Sequence, residues 1–156
     1  MNSKIKGAGS LSSILARARA KRKKIVFTNG CFDILHVGHV TYLKKARSLG
    51  NILVIGLNSD KSVRSIKGPV RPLNNQRDRA QVLSSLYFVD YVTIFGDDTP
   101  ERLIRKLKPD ILVKGGDWKG KDIAGARFVK SLGGRIVTIP FVKGYSTTAL
   151  IKKMKS

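Results

Sequence analysis

Short apolar segments alternate with amphipathic segments along most of this chain. Five of the apolar segments are rich in β-branched residues and apolar along their whole length, which is typical of strands buried on both faces of a parallel sheet. The segments between them repeat apolar residues at helical spacing. The pattern predicts strands at 25–29, 52–57, 91–95, 111–114 and 135–139. It predicts helices at 11–21, 38–48, 75–87, 99–107, 123–132 and 147–154.

These elements predict both a fold class and the place where a ligand would bind. Repeated strand–helix units are typical of an α/β fold, so we expect a single domain with a Rossmann-like, doubly wound, parallel five-stranded sheet. Ligands of such folds bind at the carboxyl ends of the strands. Thr99 and Pro100 predict one helix start with Thr99 as the N-cap, and Gly50 is a typical helix stop.

A basic segment precedes the first predicted strand. Residues 1–10 are rich in Gly, Ser and Lys, and we expect them to be loosely ordered. Residues 11–21 predict a short basic helix whose apolar face packs either on the core or on a partner. The chain therefore divides into a basic N-terminal extension at 1–24 and a folded domain at 25–156.

Composition argues against several classes of protein. Cys31 is the single cysteine, so no intramolecular disulfide can form, and the spacing of a four-ligand zinc site is missing. No apolar run approaches the ~20 residues of a membrane span, and the basic N-terminus lacks the apolar stretch of a secretory signal. We therefore expect a cytoplasmic protein without a membrane span.

The net charge of +21 is extreme, and its distribution is informative. Residues 1–24 hold eight bases and no acid, which forms either a solvated face or a polyanion-binding arm. Much of the remaining excess lies in the predicted domain, as a site for several phosphates would require. Two alternatives of another class stay open, a nucleic-acid-binding protein and a nucleotide-binding protein without catalysis. No zinc-finger spacing, aromatic RNA-stacking motif or clear helix-turn-helix supports the first.

The two histidines of the chain, His36 and His39, mark the first candidate site. Both fall at or near the first turn of the helix after the first strand, where unpaired N–H groups and the positive end of the helix dipole favour an anion. The same position disfavours the imidazolium, so we expect neutral imidazoles that donate N–H to phosphate oxygens. A zinc site would need a third ligand, for which Asp33 is the nearby candidate.

A second candidate anion site opens the last predicted helix. Three consecutive hydroxyl residues follow Gly144 and Tyr145, and their N–H and O–H groups can donate to phosphate oxygens. Taken alone, Ser146 could equally be an ordinary helix cap. A P-loop motif and a G-x-G-x-x-G fingerprint are both missing from the sequence. Two such helix starts in one βα protein favour a polyphosphate ligand.

The motifs around these sites resemble those of a known enzyme superfamily. The run from Thr28 to His39, which ends in His-Val-Gly-His, and the distal Ser-Thr-Thr at 146–148 are similar to the HxGH nucleotidyltransferases of the cytidylyltransferase-like branch. Asn-Ser-Asp at 58–60 and Lys-Gly-Gly-Asp at 114–117 favour the group of D-glycero-D-manno-heptose 1-phosphate adenylyltransferases. That group often forms the C-terminal half of a bifunctional kinase/adenylyltransferase. The resemblance covers about residues 25–154 and makes 25–156 a nucleotidyltransferase domain.

The resemblance implies transfer of AMP from ATP to a sugar 1-phosphate with release of pyrophosphate. The product would be ADP-heptose, used for lipopolysaccharide or surface polysaccharide synthesis. Mg²⁺ would be the cofactor, held mainly by the ATP phosphates rather than by protein ligands. The chain contains no kinase half, so we expect a separate heptose kinase. Relatives commonly form dimers, so we also expect a homodimer or a higher homo-oligomer.

The same resemblance assigns roles to individual residues. The catalytic residues would be His36, His39 and Lys67. The nucleotide would be bound by Thr28, Asn29, Gly30, Cys31, Phe32, Gly38, Arg79, Lys114, Gly115, Ser146, Thr147 and Thr148. The sugar phosphate would be bound by Asp33, Asn58, Asp60, Arg71, Asp117 and Trp118.

Several of these assignments have a second interpretation. Asp33 could contact substrate or fix the loop, or it could simply cap the turn after the first strand, and Arg79 could be a solvated charge on a helix. Trp118 could be a packing residue, and its neighbours resemble those in glycerol 3-phosphate cytidylyltransferases. That group carries Arg where this chain has Phe141. A cytidylyltransferase acting on glycerol 3-phosphate or a similar small phosphate is therefore the alternative within the same class.

Overall fold

Five parallel strands form one sheet at the centre of the molecule, in a computed structural model that describes residues 3–116 and 122–156. The strands are β1 (Ile25–Gly30), β2 (Ile52–Asn58), β3 (Tyr91–Phe95), β4 (Ile111–Gly115) and β5 (Arg135–Ile139). Their order across the sheet is β3-β2-β1-β4-β5, and every pair is parallel. The Rossmann-like, doubly wound, single-domain fold predicted from the sequence is confirmed, and each strand lies within one residue of its predicted bounds.

Helices surround the sheet in the described part of the chain. They are α1 (Ala8–Ala20), α2 (Val37–Ser48), α3 (Asp60–Lys67), α4 (Gln76–Ser84), α5 (Glu101–Leu107), α6 (Ala126–Ser131) and α7 (Thr147–Lys155). The sequence did not predict α3, and α4 and α6 are shorter than expected. Thr99 is not the cap of α5, because Pro100 holds that position and makes no side-chain cap. No helix among the described residues is both long and apolar enough to cross a membrane.

The core consists of two layers, one on each face of the sheet. Side chains alternate between these layers along β1, with Val26 in one layer and Ile25 and Phe27 in the other. Helices α2 and α4 cover the layer of Val26, and α1, α5 and α6 cover the opposite layer. Because both faces are covered, the strands have to be apolar along their length, which is why the apolar runs predicted them well.

The N-terminal segment is part of this core, and the expectation that residues 1–10 are loose was wrong for the part of that segment that the structure describes. Lys6 N–H donates to Val92 O, and Val92 N–H donates to Lys4 O, so the segment pairs with the edge strand β3. Helix α1 then begins at Ala8. Leu11 and Leu15 on its apolar face are fully buried in the same layer as Phe27. The apolar face therefore packs on the core of its own chain.

The strand order places a crevice at one edge of the sheet. The chain moves outward from β1 through β2 to β3, and then returns to place β4 on the other side of β1. The helices that follow β1 and β4 consequently diverge, and the carboxyl ends of these two strands lie at the topological switch point where such folds bind ligands. Asn29 and Gly30 end β1 there, and Lys114 and Gly115 end β4.

Burial of α1 leads to a stability prediction. Replacing the fully buried Leu15 by Ala removes packing from the core, so Leu15→Ala should lower the free energy of unfolding by about 2–5 kcal/mol. Urea denaturation would measure the change. Arg17→Ala on the exposed face of the same helix is the matched control and should stay within about 0.5 kcal/mol of the original chain. Equal unfolding midpoints for both variants would contradict the core role of α1.

Candidate active site

The first turn of α2 fixes the orientation of both imidazoles. His36 is the N-cap, and its Nδ1 accepts a hydrogen bond from Gly38 N–H at 3.1 Å. His39 Nδ1 accepts from His36 N–H at 3.3 Å. The two rings stack with centroids 3.8 Å apart. Because the backbone uses Nδ1 of each ring as an acceptor, a neutral imidazole carries its proton on Nε2 in both cases.

The surroundings keep these imidazoles neutral. Partial burial lowers the pKa of His36 below its ordinary value. Burial and the neighbouring His36 ring together lower the pKa of His39 to about 4. A neutral ring with its proton on Nε2 is a hydrogen-bond donor that carries no charge of its own. The pair therefore presents two N–H donors at the N-terminus of α2.

Helix α7 begins beside this turn. Thr147 Oγ1 donates to Ile34 O at 3.4 Å, and the Tyr145 ring lies 6.5 Å from the His36 ring, with the two planes within 24°. Ser146 is the N-cap of α7, and its Oγ accepts from Ala149 N–H at 3.0 Å. The cap role uses an acceptor lone pair, and the hydroxyl proton is still a donor by nature. The structure thus brings together the two candidate anion-binding segments, which lie more than 100 residues apart in sequence.

A partly buried lysine, Lys114, lies at the switch point between β1 and β4. Lys114 Nζ donates to Asn29 Oδ1 at 2.7 Å, and burial lowers the pKa of Lys114 to about 8. One residue before Asn29 on β1, Thr28 Oγ1 lies 2.6 Å from the Tyr42 hydroxyl, and burial raises the pKa of Tyr42 to about 12. Tyr42 therefore anchors α2 to β1 through a neutral hydroxyl, while Lys114 keeps a positive charge near the crevice.

Asp33 holds two loops together. Its carboxylate accepts from the N–H groups of Leu73 and Asn74 and from Arg71 Nε, all within 3.0 Å, and its side chain is fully buried. Burial by itself raises the pKa of this carboxyl, but the hydrogen bonds outweigh that effect and lower it below the ordinary value. Of the interpretations open from the sequence, the contacts support the one in which Asp33 fixes the loop.

Arg79 is buried beneath the same loops, with 2% of its surface exposed. Its Nη1 donates to Cys31 O and Asn58 O, Nε donates to Asn74 O, and Nη2 pairs with the Asp60 carboxylate at 2.8 Å. The interpretation of Arg79 as a solvated charge was therefore wrong. Asn58 is also buried, and its amide donates to Ser62 Oγ. The guanidinium and its partners form a scaffold under the crevice.

Further cations surround the end of β1. Lys67 is the exposed last residue of α3, and Gly68 ends that helix with a φ of 99°. Burial raises the pKa of the Cys31 thiol, and Lys67, Arg79 and Arg71 oppose that rise electrostatically. Lys67 and Arg71 thus lie close enough to act on a group at the carboxyl end of β1. A phosphate in the crevice would experience the same field.

Close packing around the crevice depends on glycine. A Cβ on Gly30 would lie 2.8 Å from the Phe32 ring, which itself packs 5.2 Å from the His39 ring. A Cβ on Gly115 would likewise lie 2.9 Å from the Phe141 ring and 3.3 Å from the Tyr42 ring. The expected contributions of Asp117 and Trp118 lie outside the described residues.

Three aromatic residues at this edge were not among the predicted site residues: Tyr42, Phe141 and Tyr145. Tyr42 lies three residues after His39 on α2, so its helical spacing could have placed it on the same side as the histidine. Tyr145 belongs to the segment that opens α7 and could have been included with its neighbours. No local sequence pattern predicts that Phe141 lies at the site, because it reaches Gly115 only through the pairing of β5 with β4.

Comparison with known proteins identifies the family of this chain. The cytidylyltransferase-like family profile matches residues 27–153. The chain belongs to the cytidylyltransferase-like family. It is 57% identical to the bifunctional protein HldE of Campylobacter concisus over 97% of this chain, and 54% identical to that of Trichlorobacter lovleyi over 98%. In each case the match covers 31% of the relative, so the chain spans about a third of their length.

Solved structures of related proteins share the fold. The lipopolysaccharide core biosynthesis protein of Thermoplasma volcanium is 29% identical, with a TM-score of 0.64 over 80% of this chain and 99% of that one. Pantoate–β-alanine ligase of Francisella tularensis, solved with β,γ-ATP and β-alanine, gives a TM-score of 0.63 at 18% identity. That match covers 97% of this chain and 76% of the ligase, and it shows the fold alone.

The histidine geometry predicts a defined titration. Nitrogen-detected NMR should show the Nε2–H tautomer for both rings, with His39 titrating near pH 4 rather than at the ordinary 6.5. An unfolded chain would take up that proton at the higher pH. The contribution of His39 to folding stability should therefore decrease as the pH falls from 6.5 towards 4. Titration of both rings near the ordinary value, or Nδ1–H tautomers, would contradict this arrangement.

Gly38 is predicted to be required for the position of His36. A Cβ there would lie 2.8 Å from His36 Cε1 and 3.2 Å from Tyr145 Cβ, so Gly38→Ala should displace the ring and break its bond to the backbone. NMR would detect this as a changed nitrogen shift of His36. Gly9→Ala on α1 is the control, because nothing lies within 4 Å of its Cβ position. An unchanged His36 spectrum in Gly38→Ala would disprove the requirement.

Proposed function

We propose that this chain is a nucleotidyltransferase that transfers AMP from ATP to D-glycero-D-manno-heptose 1-phosphate, giving ADP-heptose and pyrophosphate. The observation that carries the proposal is the pair of imidazoles at the start of α2, each accepting a backbone hydrogen bond at Nδ1, placed beside the start of α7. Two helix N-termini with neutral N–H donors and nearby Lys67 and Arg71 fit a triphosphate and an anionic acceptor.

The chemistry needs position and charge stabilisation more than a base. A phosphate monoester is already ionised at pH 7, since its second pKa is about 6. One of its oxygens attacks the α-phosphorus in line, a new P–O bond forms, and the bond to the β-phosphate oxygen breaks as pyrophosphate leaves. Negative charge shifts onto the phosphate oxygens during this step, and His36 and His39 would donate hydrogen bonds to them.

Magnesium is part of the proposal, and the residues present fit a metal carried by the nucleotide. Among the described residues, no group of three or more His, Cys, Asp or Glu could hold a metal ion. The nearby Asp33 carboxylate is already bonded to Arg71 and to two backbone N–H groups. In this proposal Mg²⁺ would be held mainly by phosphate oxygens and water, and it would neutralise charge on the triphosphate. His36 and His39 would orient those same oxygens from the protein side.

The relatives support the choice of product. The chain matches bifunctional HldE proteins at 50–57% identity, and a similar solved structure is described as a lipopolysaccharide core biosynthesis protein. Together with the Asn-Ser-Asp and Lys-Gly-Gly-Asp motifs, these similarities favour a sugar 1-phosphate acceptor and a product used in surface polysaccharide synthesis.

A substrate grid tests the proposal directly. The protein with Mg²⁺ should release pyrophosphate from ATP only when heptose 1-phosphate is present, and ADP-heptose should accumulate in equal amount. CTP with glycerol 3-phosphate is the second arm of the grid. Turnover confined to that arm would replace the adenylyltransferase assignment by the cytidylyltransferase one. A folded protein that turns over neither pair would overturn the proposal.

Substitution of the histidines should separate catalysis from folding. His36→Asn keeps a side-chain acceptor at the N-cap but removes the ring donor, so the fold should persist while kcat falls about 10²–10³-fold. His39→Ala should lower kcat to a similar extent. Thermal unfolding would verify the fold of each variant. Arg17→Ala, on the exposed face of α1, should keep full activity. Retention of normal kcat by both histidine variants would contradict their role.

A further inference from the structure

Phe141 is an exposed aromatic ring at the carboxyl edge of the sheet. It lies two residues after β5, and 73% of its surface is exposed although it is a large apolar side chain. Three carbons of the ring lie 2.5–3.1 Å from the position that a Cβ of Gly116 would occupy, and another lies 2.9 Å from that of Gly115. The ring therefore rests on a pair of glycines that leave room for it, and it leaves apolar surface facing outward.

The location of the ring connects it to the crevice. Gly115, which the ring contacts, follows Lys114, whose ammonium bonds Asn29 across the switch point. The Cβ position of Gly115 also lies 3.3 Å from Tyr42, which anchors α2. Phe141 thus lies on the β4 side of the crevice, just before the segment that opens α7.

The two sides of the crevice differ in character. On the β2 side, the carboxylates of Asp33 and Asp60 are paired with arginines, and Lys67 adds positive charge, which suits an anionic acceptor. On the β4 side, the described residues that follow Lys114 are Gly115 and Gly116, and the Phe141 ring packed on them provides a flat apolar surface. A nucleotide whose phosphates lie at the starts of α2 and α7 can therefore direct its base towards the β4 side, where the exposed ring of Phe141 is available.

We propose that the outward face of Phe141 is the platform on which the nucleobase stacks. This inference rests on the proposed function, because it assumes that the crevice binds a nucleoside triphosphate. Stacking on an aromatic ring accepts any base but is stronger for the larger ring system of a purine. Phe141 is then a specificity-determining residue that favours ATP over CTP, while the phosphates are bound by separate groups.

Two probes distinguish base binding from phosphate binding. ATP and inorganic tripolyphosphate both present a triphosphate, but only ATP carries a base. Calorimetric titration with Mg²⁺ should show that Phe141→Ala weakens ATP binding about 10-fold. In the same variant, the affinity for tripolyphosphate should stay unchanged, and the ratio of ATP affinity to CTP affinity should decrease. Phe141→Tyr, which keeps the ring, should bind ATP like the original chain.

Tyr87→Ala is the matched control for removal of an exposed ring. Tyr87 is 79% exposed and precedes β3, so it lies at the opposite, amino edge of the sheet, and its removal should leave ATP affinity unchanged. Unchanged ATP affinity in Phe141→Ala, or an equal loss for ATP and tripolyphosphate, would overturn the stacking inference alone. An original chain that binds neither probe would overturn the proposed function as well. Thermal unfolding would show that each variant is folded.

Discussion

The buried guanidinium of Arg79 is the constraint on which the site depends. A charge removed from water is costly unless it is paired and hydrogen-bonded, so the groups around Arg79 have to supply oxygen acceptors. Cys31 O and Asn58 O come from the ends of two adjacent strands, and Asn74 O comes from the loop before α4. Three separate segments are therefore held at one edge of the sheet by one side chain.

The crevice is built on this scaffold. Asp33 connects the segment after β1 to the loop of Arg71, and the same segment continues into the turn of His36 and His39. The backbone of that turn occupies Nδ1 of both rings, so the catalytic proposal needs no additional residue to select the tautomer. Charge is placed around the crevice by Lys67, Arg71 and Lys114, whereas the imidazoles themselves stay neutral.

The parts of the fold that follow from local rules were predictable. Strands buried on both faces must be apolar throughout, and such runs are visible in the sequence without any knowledge of neighbours. Helix α3 was missed because it is short and mostly polar, and Val63 and Ser62 are its buried residues. Its stability comes from tertiary contacts, such as the bond from Ser62 Oγ to Asp97 O, which no local pattern reveals.

The sequence by itself determined the chemistry available to this protein: two histidines at one helix start, three hydroxyl residues at another, and a domain with a large net positive charge. These are local patterns, because helix N-termini and residue types are properties of short segments. Only the tertiary structure decided that Asp33 and Arg79 tie loops together, that α1 packs on the core, and that Phe141 lies beside Gly115. Each of these depends on which strands become neighbours, and contacts between residues far apart in sequence leave no periodic signal along the chain.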